Sequence, residues 1–271
     1  MPTVERVAPE LVRVLAPNPS LMTLDGTNTY VLGATGTGEA VIVDPGPDDP
    51  AHRQRVDEAV ADLDAEVRAI VLTHHHPDHA EAAAGWAADL GCPVLAPTAD
   101  LAVDAPVLSD GDRLAVRDVE VTVIATPGHT RDHLAFRLGS GAVLTGDHVL
   151  GRGTSVVVHP DGDLEAYLAS LQRLYDLGPS ALHPGHGPSL TEDPGAVLSY
   201  YAAHRRYREH QLKHALRDGP AGLDELVPRL YADADRRVWP AATASLLALL
   251  ALLTARGEVH RDTGARYHLV V

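Results

Sequence analysis

The densest group of chemistry-bearing residues in this chain is Thr73-His74-His75-His76-Pro77-Asp78-His79. Imidazole nitrogens and carboxylate oxygens are the side-chain atoms that hold Zn²⁺ or a similar borderline cation, at about 2.0 to 2.2 Å. His74 and His76 stand two apart on a segment expected to be extended, so both point the same way and can share one cation with a distant third ligand. Asp78 and His79 then turn toward a second position. Three further sites look alike: His129 in Thr126-Pro127-Gly128-His129-Thr130, Asp147 in Thr145-Gly146-Asp147, and His186 in Pro184-Gly185-His186-Gly187. Five histidines and two aspartates exceed the four ligands of a closed structural site and suit two cations with room for water.

Each of these motifs follows a predicted strand, and loops at strand ends can converge. Short β-branched runs at residues 40–43, 67–72, 119–125 and 142–145 are bounded by Gly, Pro and Asp, as strands are. Helical periodicity marks residues 51–63, 79–90 and 163–177. Strands also come in adjacent pairs, residues 133–138 and 142–145 across the Gly139-Ser140-Gly141 turn. This mixture predicts an α/β fold of layered sheets covered by helices.

The 271 residues suit one large domain or one with a small appendage, and 45% apolar with 22% charged residues is ordinary globular usage. Residues 1–195 hold 11 basic and 29 acidic side chains, a net of −18, whereas residues 196–271 hold 11 and 8, a net of +3. That contrast predicts two domains, 1–195 and 196–271. In the second, a long helix to about Arg217 is closed by Asp218-Gly219-Pro220. Helices at 223–231 and 241–256 and a hairpin at 257–271 follow, the order of a winged helix. Cys92 is the single cysteine, which excludes a Cys-based cluster and agrees with a reducing compartment. The N-terminus lacks the basic lead and apolar block of an export signal, and the longest apolar run, residues 246–254, is short of a membrane span. Both features lead us to expect a cytoplasmic protein without a membrane partner.

The ordered series His74-x-His76-x-Asp78-His79, His129, Asp147 and His186 resembles the metallo-β-lactamase superfamily. Residues 22–30 (MTLDGTNTY), Gly151-Arg152-Gly153-Thr154, Pro184-Gly185-His186-Gly187-Pro188 and residues 204–209 (HRRYRE) further resemble the β-lactamase-like protein 2 family. The resemblance implies a four-layer αβ/βα sandwich with a small C-terminal winged-helix domain. It implies a first metal on His74, His76 and His129, a second on Asp78, His79 and His186, and Asp147 bridging them. The cofactor implied is two divalent ions, Zn²⁺ first among candidates, sharing a water that becomes the hydroxide nucleophile; Asp78 is expected to orient that nucleophile and take its proton. An aspartate at the Asp147 position is similar to the glyoxalase II and ribonuclease branches, which counts against a true lactamase. The family likeness and the basic C-terminal part lead us to expect an endoribonuclease on single-stranded RNA. A thioester or ester hydrolase of the glyoxalase II type is the alternative, and duplex DNA bound by the C-terminal module is a third reading.

Neighbouring residues admit plainer roles. Alternation points His75 away from the metals. Asp44 either buttresses the His loop through hydrogen bonds or ends an ordinary turn. His133 either orients substrate or packs, and His148 and His183 adjoin the motifs without matching ligand positions. The loop at residues 18–26 is expected to border the pocket. The Arg-rich helix with Arg205, Arg206, Arg208, Lys213 and Arg217 reads as a solvated face laced by pairs such as Arg205 with Glu209.

Overall fold

The computed structural model describes every residue except Thr37, Asp118 and Val271, the last being the end of the expected hairpin. An antiparallel run comes first: β1 (Val4–Ala8), β2 (Leu11–Leu15), β3 (Asn28–Leu32) and β4 (Gly38–Val43). It continues through α1 (Pro50–Ala61), β5 (Ala65–Val71), the single turn α2 (Pro77–Ala80), α3 (Ala83–Leu90) and β6 (Val94–Leu95). Then come β7 (Arg113–Val116), β8 (Val119–Ala125), β9 (Leu134–Leu138), β10 (Val143–Gly146), α4 (Leu164–Asp176), β11 (Leu182–Pro184) and α5 (Pro194–Arg217). The chain closes with α6 (Leu223–Leu230), a 3-10 turn at Arg236–Val238, α7 (Trp239–Ala255), β12 (Val259–Arg261) and β13 (Tyr267–Leu269).

Contacts group these elements into two compact units. The first comprises Met1–Thr126, Asp132–Gly153 and Leu177–Pro194; the second comprises Pro127–Arg131, Thr154–Asp176 and the residues from Gly195 onward.

The first unit is an α/β sandwich of two mixed sheets. One sheet runs β1-β2-β3-β4-β5-β6, antiparallel up to β4 and parallel beyond it; the other runs β11-β10-β9-β8-β7, with only β10 and β11 parallel. Alternation along the strands sorts side chains between two cores. Tyr30, Leu32, Val41, Val43 and Val71 meet Val121, Val123, Phe136, Leu138 and Leu144 between the sheets. Val31, Ile42, Ile70 and Leu72 face the other way, onto Val56 and Val60 of α1 and Ala83, Trp86 and Ala87 of α3. The two sheets bring the ends of β4, β5, β10 and β11, together with the start of the antiparallel β9, into the loops that hold the sequence motifs.

The segment predicted as one helix from His79 to Leu90 is two. Gly46 accepts from Ala82 N at 3.2 Å and donates to the His79 carbonyl at 3.1 Å. Those two groups are thereby taken out of the helical ladder, so α2 ends at Ala80 and α3 begins at Ala83.

In the second unit, α6, α7 and the β12–β13 hairpin form the expected winged helix, with Ala221 adding a backbone bridge to Tyr267. Its core is built from Leu226, Leu230, Leu246, Leu249, Leu253 and Val259. The stretch Arg236–Ala255 is long and apolar enough to cross a membrane by length and composition, longer than the run of residues 246–254 on which the expectation of no span rested. Seven α7 side chains are buried in the fold. The basic face of α5 also differs from expectation. Arg205 does not pair with Glu209; it is buried, stacks 4.9 Å from the Tyr167 ring centroid and donates to the Ser155 carbonyl. Glu209 instead takes Lys213 at 2.5 Å.

Phe136, the chain's one phenylalanine, is 1% exposed between the two sheets. Phe136→Ala is expected to lower unfolding free energy by about 3 to 5 kcal/mol in denaturant titrations. A loss under about 1 kcal/mol would contradict a closely packed sandwich.

Candidate metal centre

The loop after β5 is organised by a residue from the end of β4. Asp44 has φ +51°, a left-handed backbone that aspartate tolerates better than most residues. Its Oδ1 accepts from Thr73 N at 2.8 Å and its Oδ2 from Thr73 Oγ1 at 2.7 Å. The same Oδ2 meets His79 Nδ1 at 2.8 Å. Thr29 Oγ1 holds the Asp44 carbonyl at 2.7 Å, and His52 Nε2 donates to that hydroxyl at 2.8 Å. Asp44 thus buttresses the loop, the first of the two readings its sequence left open.

Proton accounting along these bonds fixes the imidazole faces. A carboxylate only accepts, so His79 Nδ1 is the protonated nitrogen and Nε2 presents a lone pair. Thr73 has given its hydroxyl proton to Asp44, so it accepts from His74 Nδ1 at 2.9 Å. The lone pair on His74 therefore also sits on Nε2, 3.0 Å from His76 Nδ1. His186 Nδ1 donates to the Gly26 carbonyl at 3.2 Å, leaving its Nε2 lone pair 3.2 Å from His79 Nε2. Asp78 Oδ2 lies 3.1 Å and Asp147 Oδ2 3.3 Å from His186 Nε2.

Two lone pairs and two carboxylates turned on one point repel each other unless a positive charge sits among them. Without a cation, protons take that place. Burial alone would depress the His186 pKa, but Asp147 and Asp78 outweigh it and raise it to about 9. His79 is raised well above its usual value against the same desolvation, by Asp147 and Asp44. Asp147, despite burial, is held well below the ordinary carboxylate range by His186 and His79. The donor set suits a divalent ion of zinc type, and the backbone leaves it room. A Cβ on Gly185 would stand 2.6 Å from His79 Cε1 and 2.7 Å from Asp147 Oδ1, so only glycine clears the site.

Ligand atoms of Asp78, His79 and His186 lie within 4.8 Å of one another, as do those of His74, His76 and Asp147. His133 Nε2 accepts from Asp147 N at 3.1 Å while its Nδ1 meets Thr126 Oγ1 at 2.8 Å, so it steadies the Asp147 turn. His129 belongs to the second unit, where Nδ1 donates to the Val156 carbonyl at 2.7 Å and the lone pair falls on Nε2. His75 is exposed and pairs with Asp132 at 2.9 Å, the outward direction its alternation predicts. His183 meets Ser189 Oγ at 2.9 Å, and burial pushes its pKa down to about 4. Sequence reasoning gave no role to Thr73 or His52, since a hydroxyl before a histidine and a histidine in a helix are commonplace.

Residues 22–186 match the metallo-β-lactamase superfamily, and residues 223–266 match the β-lactamase-associated winged helix domain. A β-lactamase-like protein 2 homolog from Drosophila melanogaster is 30% identical over 98% of this chain and 94% of its own. An atrochrysone carboxyl ACP thioesterase from Aspergillus chevalieri is 35% identical over 80% of this chain and 69% of its own. A crystal structure of a metallo-β-lactamase family protein from Thermus thermophilus superposes with a TM-score of 0.80, at 28% identity, over 98% of this chain and 100% of that one. The chain belongs to the metallo-β-lactamase superfamily and has the winged helix associated with it. It is a hydrolase whose His/Asp cluster is able to hold metal ions.

Thr73→Val keeps the shape and removes the relay between His74 and Asp44. Zinc affinity, read by chelator competition, is expected to fall about 10- to 100-fold; parent-like affinity would contradict the relay. A second expectation concerns acid. Burial lowers the His52 pKa from 6.5 to about 4. The unfolded chain therefore takes up a proton first, and the stability His52 gives above pH 6.5 is lost as pH falls through about 4. His52→Gln retains the donor to Thr29 and should flatten that decline in denaturant midpoints between pH 7.5 and 4. Equal slopes in parent and variant would contradict it.

Proposed function

We propose that this protein is a two-cation acyl hydrolase that cleaves a thioester or ester. In this reading His74 and His76 would hold one ion, Asp78, His79 and His186 would hold the other, and Asp147 would serve both; His129 is the further ligand that the family resemblance implies. Zinc is the ion we assign. When bound, such ions polarise the electrophile's oxygen and bring the pKa of a water from 15.7 toward about 7. The Asp78 carboxylate, beside that ion, would orient the water and accept its proton. Asp147, steadied by His133, keeps the two halves of the site in register.

The choice of acyl over phosphodiester substrate rests on where the basic side chains are spent. RNA binding draws on Lys and Arg free to meet phosphates. Residues 1–195 carry a net −18. In the second unit, Lys213 is held by Glu209 and Glu258, Arg229 by Asp218, Arg256 by Glu165 and Arg266 by Glu225. Arg205 is buried and Arg208 donates to the Leu230 carbonyl over the Tyr231 ring. The helix that would enter a groove, α7, contains Thr243, Ser245, Thr254 and the Trp239 indole as its polar side chains and no charge, which leaves little to read base edges. The name of the Aspergillus chevalieri relative, a thioesterase, supports the same choice. The family likeness and the basic C-terminal part were the ground for expecting RNA cleavage; the likeness to the Drosophila melanogaster protein favours neither substrate by itself.

The test supplies zinc-loaded protein with a panel of acyl thioesters and with short unstructured RNA. Thioester turnover lost at least about 100-fold in Asp147→Ala, together with reduced metal content, is the expected result. RNA cleavage that is lost in the same variant, with thioesters left intact, would overturn the acyl reading.

A further inference from the structure

Two polar side chains of the Thr27-Asn28-Thr29-Tyr30 stretch do no chemistry in the site above, yet they converge on one loop of it. Asn28 is fully buried, and its Nδ2 donates to the carbonyls of Pro184 and Gly187, both at 2.8 Å. Its backbone N–H donates to the Gly185 carbonyl at 2.7 Å. Two residues along β3, the Tyr30 hydroxyl donates to Pro184 O at 2.9 Å. The carbonyls on both sides of His186 are thus all gripped from one strand. An NH₂ group is the donor that two carbonyl oxygens require, and the amide turned over would set three oxygens together.

The grip answers a weakness the site creates for itself. Gly185 must lack a Cβ to clear His79 and Asp147, and Gly187 takes φ +84°. Two glycines flanking one ligand give the free loop the largest backbone freedom available. Hydrogen bonds from a buried, already rigid strand remove it again. The His74 and His76 side of the site is held differently, through Thr73 and Asp44.

We propose that Asn28 and Tyr30 are positioning residues for the second cation, fixing the His186 loop where its imidazole meets His79 and Asp78, while the first cation does not depend on them. The proposal rests on the two-cation reading given above. It follows that the two ions are separable by changes on β3 that touch no ligand.

The experiment uses the full chain, parent and variants Asn28→Asp, Asn28→Ala and Tyr30→Phe. Zinc is titrated against a chromophoric chelator, and amide exchange of residues 185–187 is followed in metal-free protein. The parent is expected to take up two ions. In the variants the first ion should bind within about 3-fold of the parent, and the second about 10- to 100-fold more weakly. Exchange at residues 185–187 should quicken without metal, a change that acts on the loop itself and not through turnover. Asn28→Asp, isosteric but facing two carbonyls with a carboxylate, should be the most affected. If the Asn28 variants fail to fold, Tyr30→Phe, which keeps its ring in the core, decides alone. Two ions weakened equally, or a second ion and an exchange rate like the parent's, would overturn the positioning role and leave the two-cation reading standing. A parent that takes up fewer than two ions overturns both.

Discussion

One buried carboxylate, Asp44, decides which way the imidazoles of the site face. A buried charge is tolerated only when its oxygens are fully engaged. Here they are engaged by Thr73 N, Thr73 Oγ1 and His79 Nδ1. Two of those bonds use the proton of a hydroxyl or a ring nitrogen, so His79 and, through Thr73, His74 turn lone pairs inward. The Gly26 carbonyl does the same to His186. Once these tautomers are set, a knot of acceptors is left that only a positive charge can reconcile. The fold serves this arrangement by delivering the ends of separate strands to one edge of the sandwich.

The ligand motifs were legible because metal chemistry demands particular residue types at fixed spacing, and because Gly, Pro and Asp mark the strand ends around them. The order of elements in the winged helix was legible for a similar reason: the stop signals at Asp218-Gly219-Pro220 are local. What sequence could not show were partners distant along the chain. Gly46 splits the helix after His79, and nothing in the run from His79 to Leu90 announces it. Arg205 suggests a solvent face by its position on a basic helix, yet the Tyr167 ring and the Ser155 carbonyl draw it inside. Arg13, in the middle of β2, is only 1% exposed, tied to Glu5 at 2.7 Å and to the Pro2 carbonyl at 2.9 Å. Asp44 offered two roles in sequence, and its contacts with Thr73 and His79 select the buttress.

Charge distribution and site chemistry point the same way. An acidic catalytic unit would weaken the approach of a polyanion, and Lys213, Arg229, Arg256 and Arg266 of the second unit pair with carboxylates within it. An uncharged acyl carbon attacked by an oriented water makes no such electrostatic demand. In the winged helix, α7 is rich in Ala and Leu and carries no charged side chain.

Anomalous diffraction from crystals grown with zinc tests the central claim most directly. Two peaks about 3.5 to 4 Å apart are expected, one touching Nε2 of both His79 and His186 and the other touching His74. Absence of density between His79 and His186, or rings rotated so that Nδ1 of His79 leaves Asp44, would contradict the site as described.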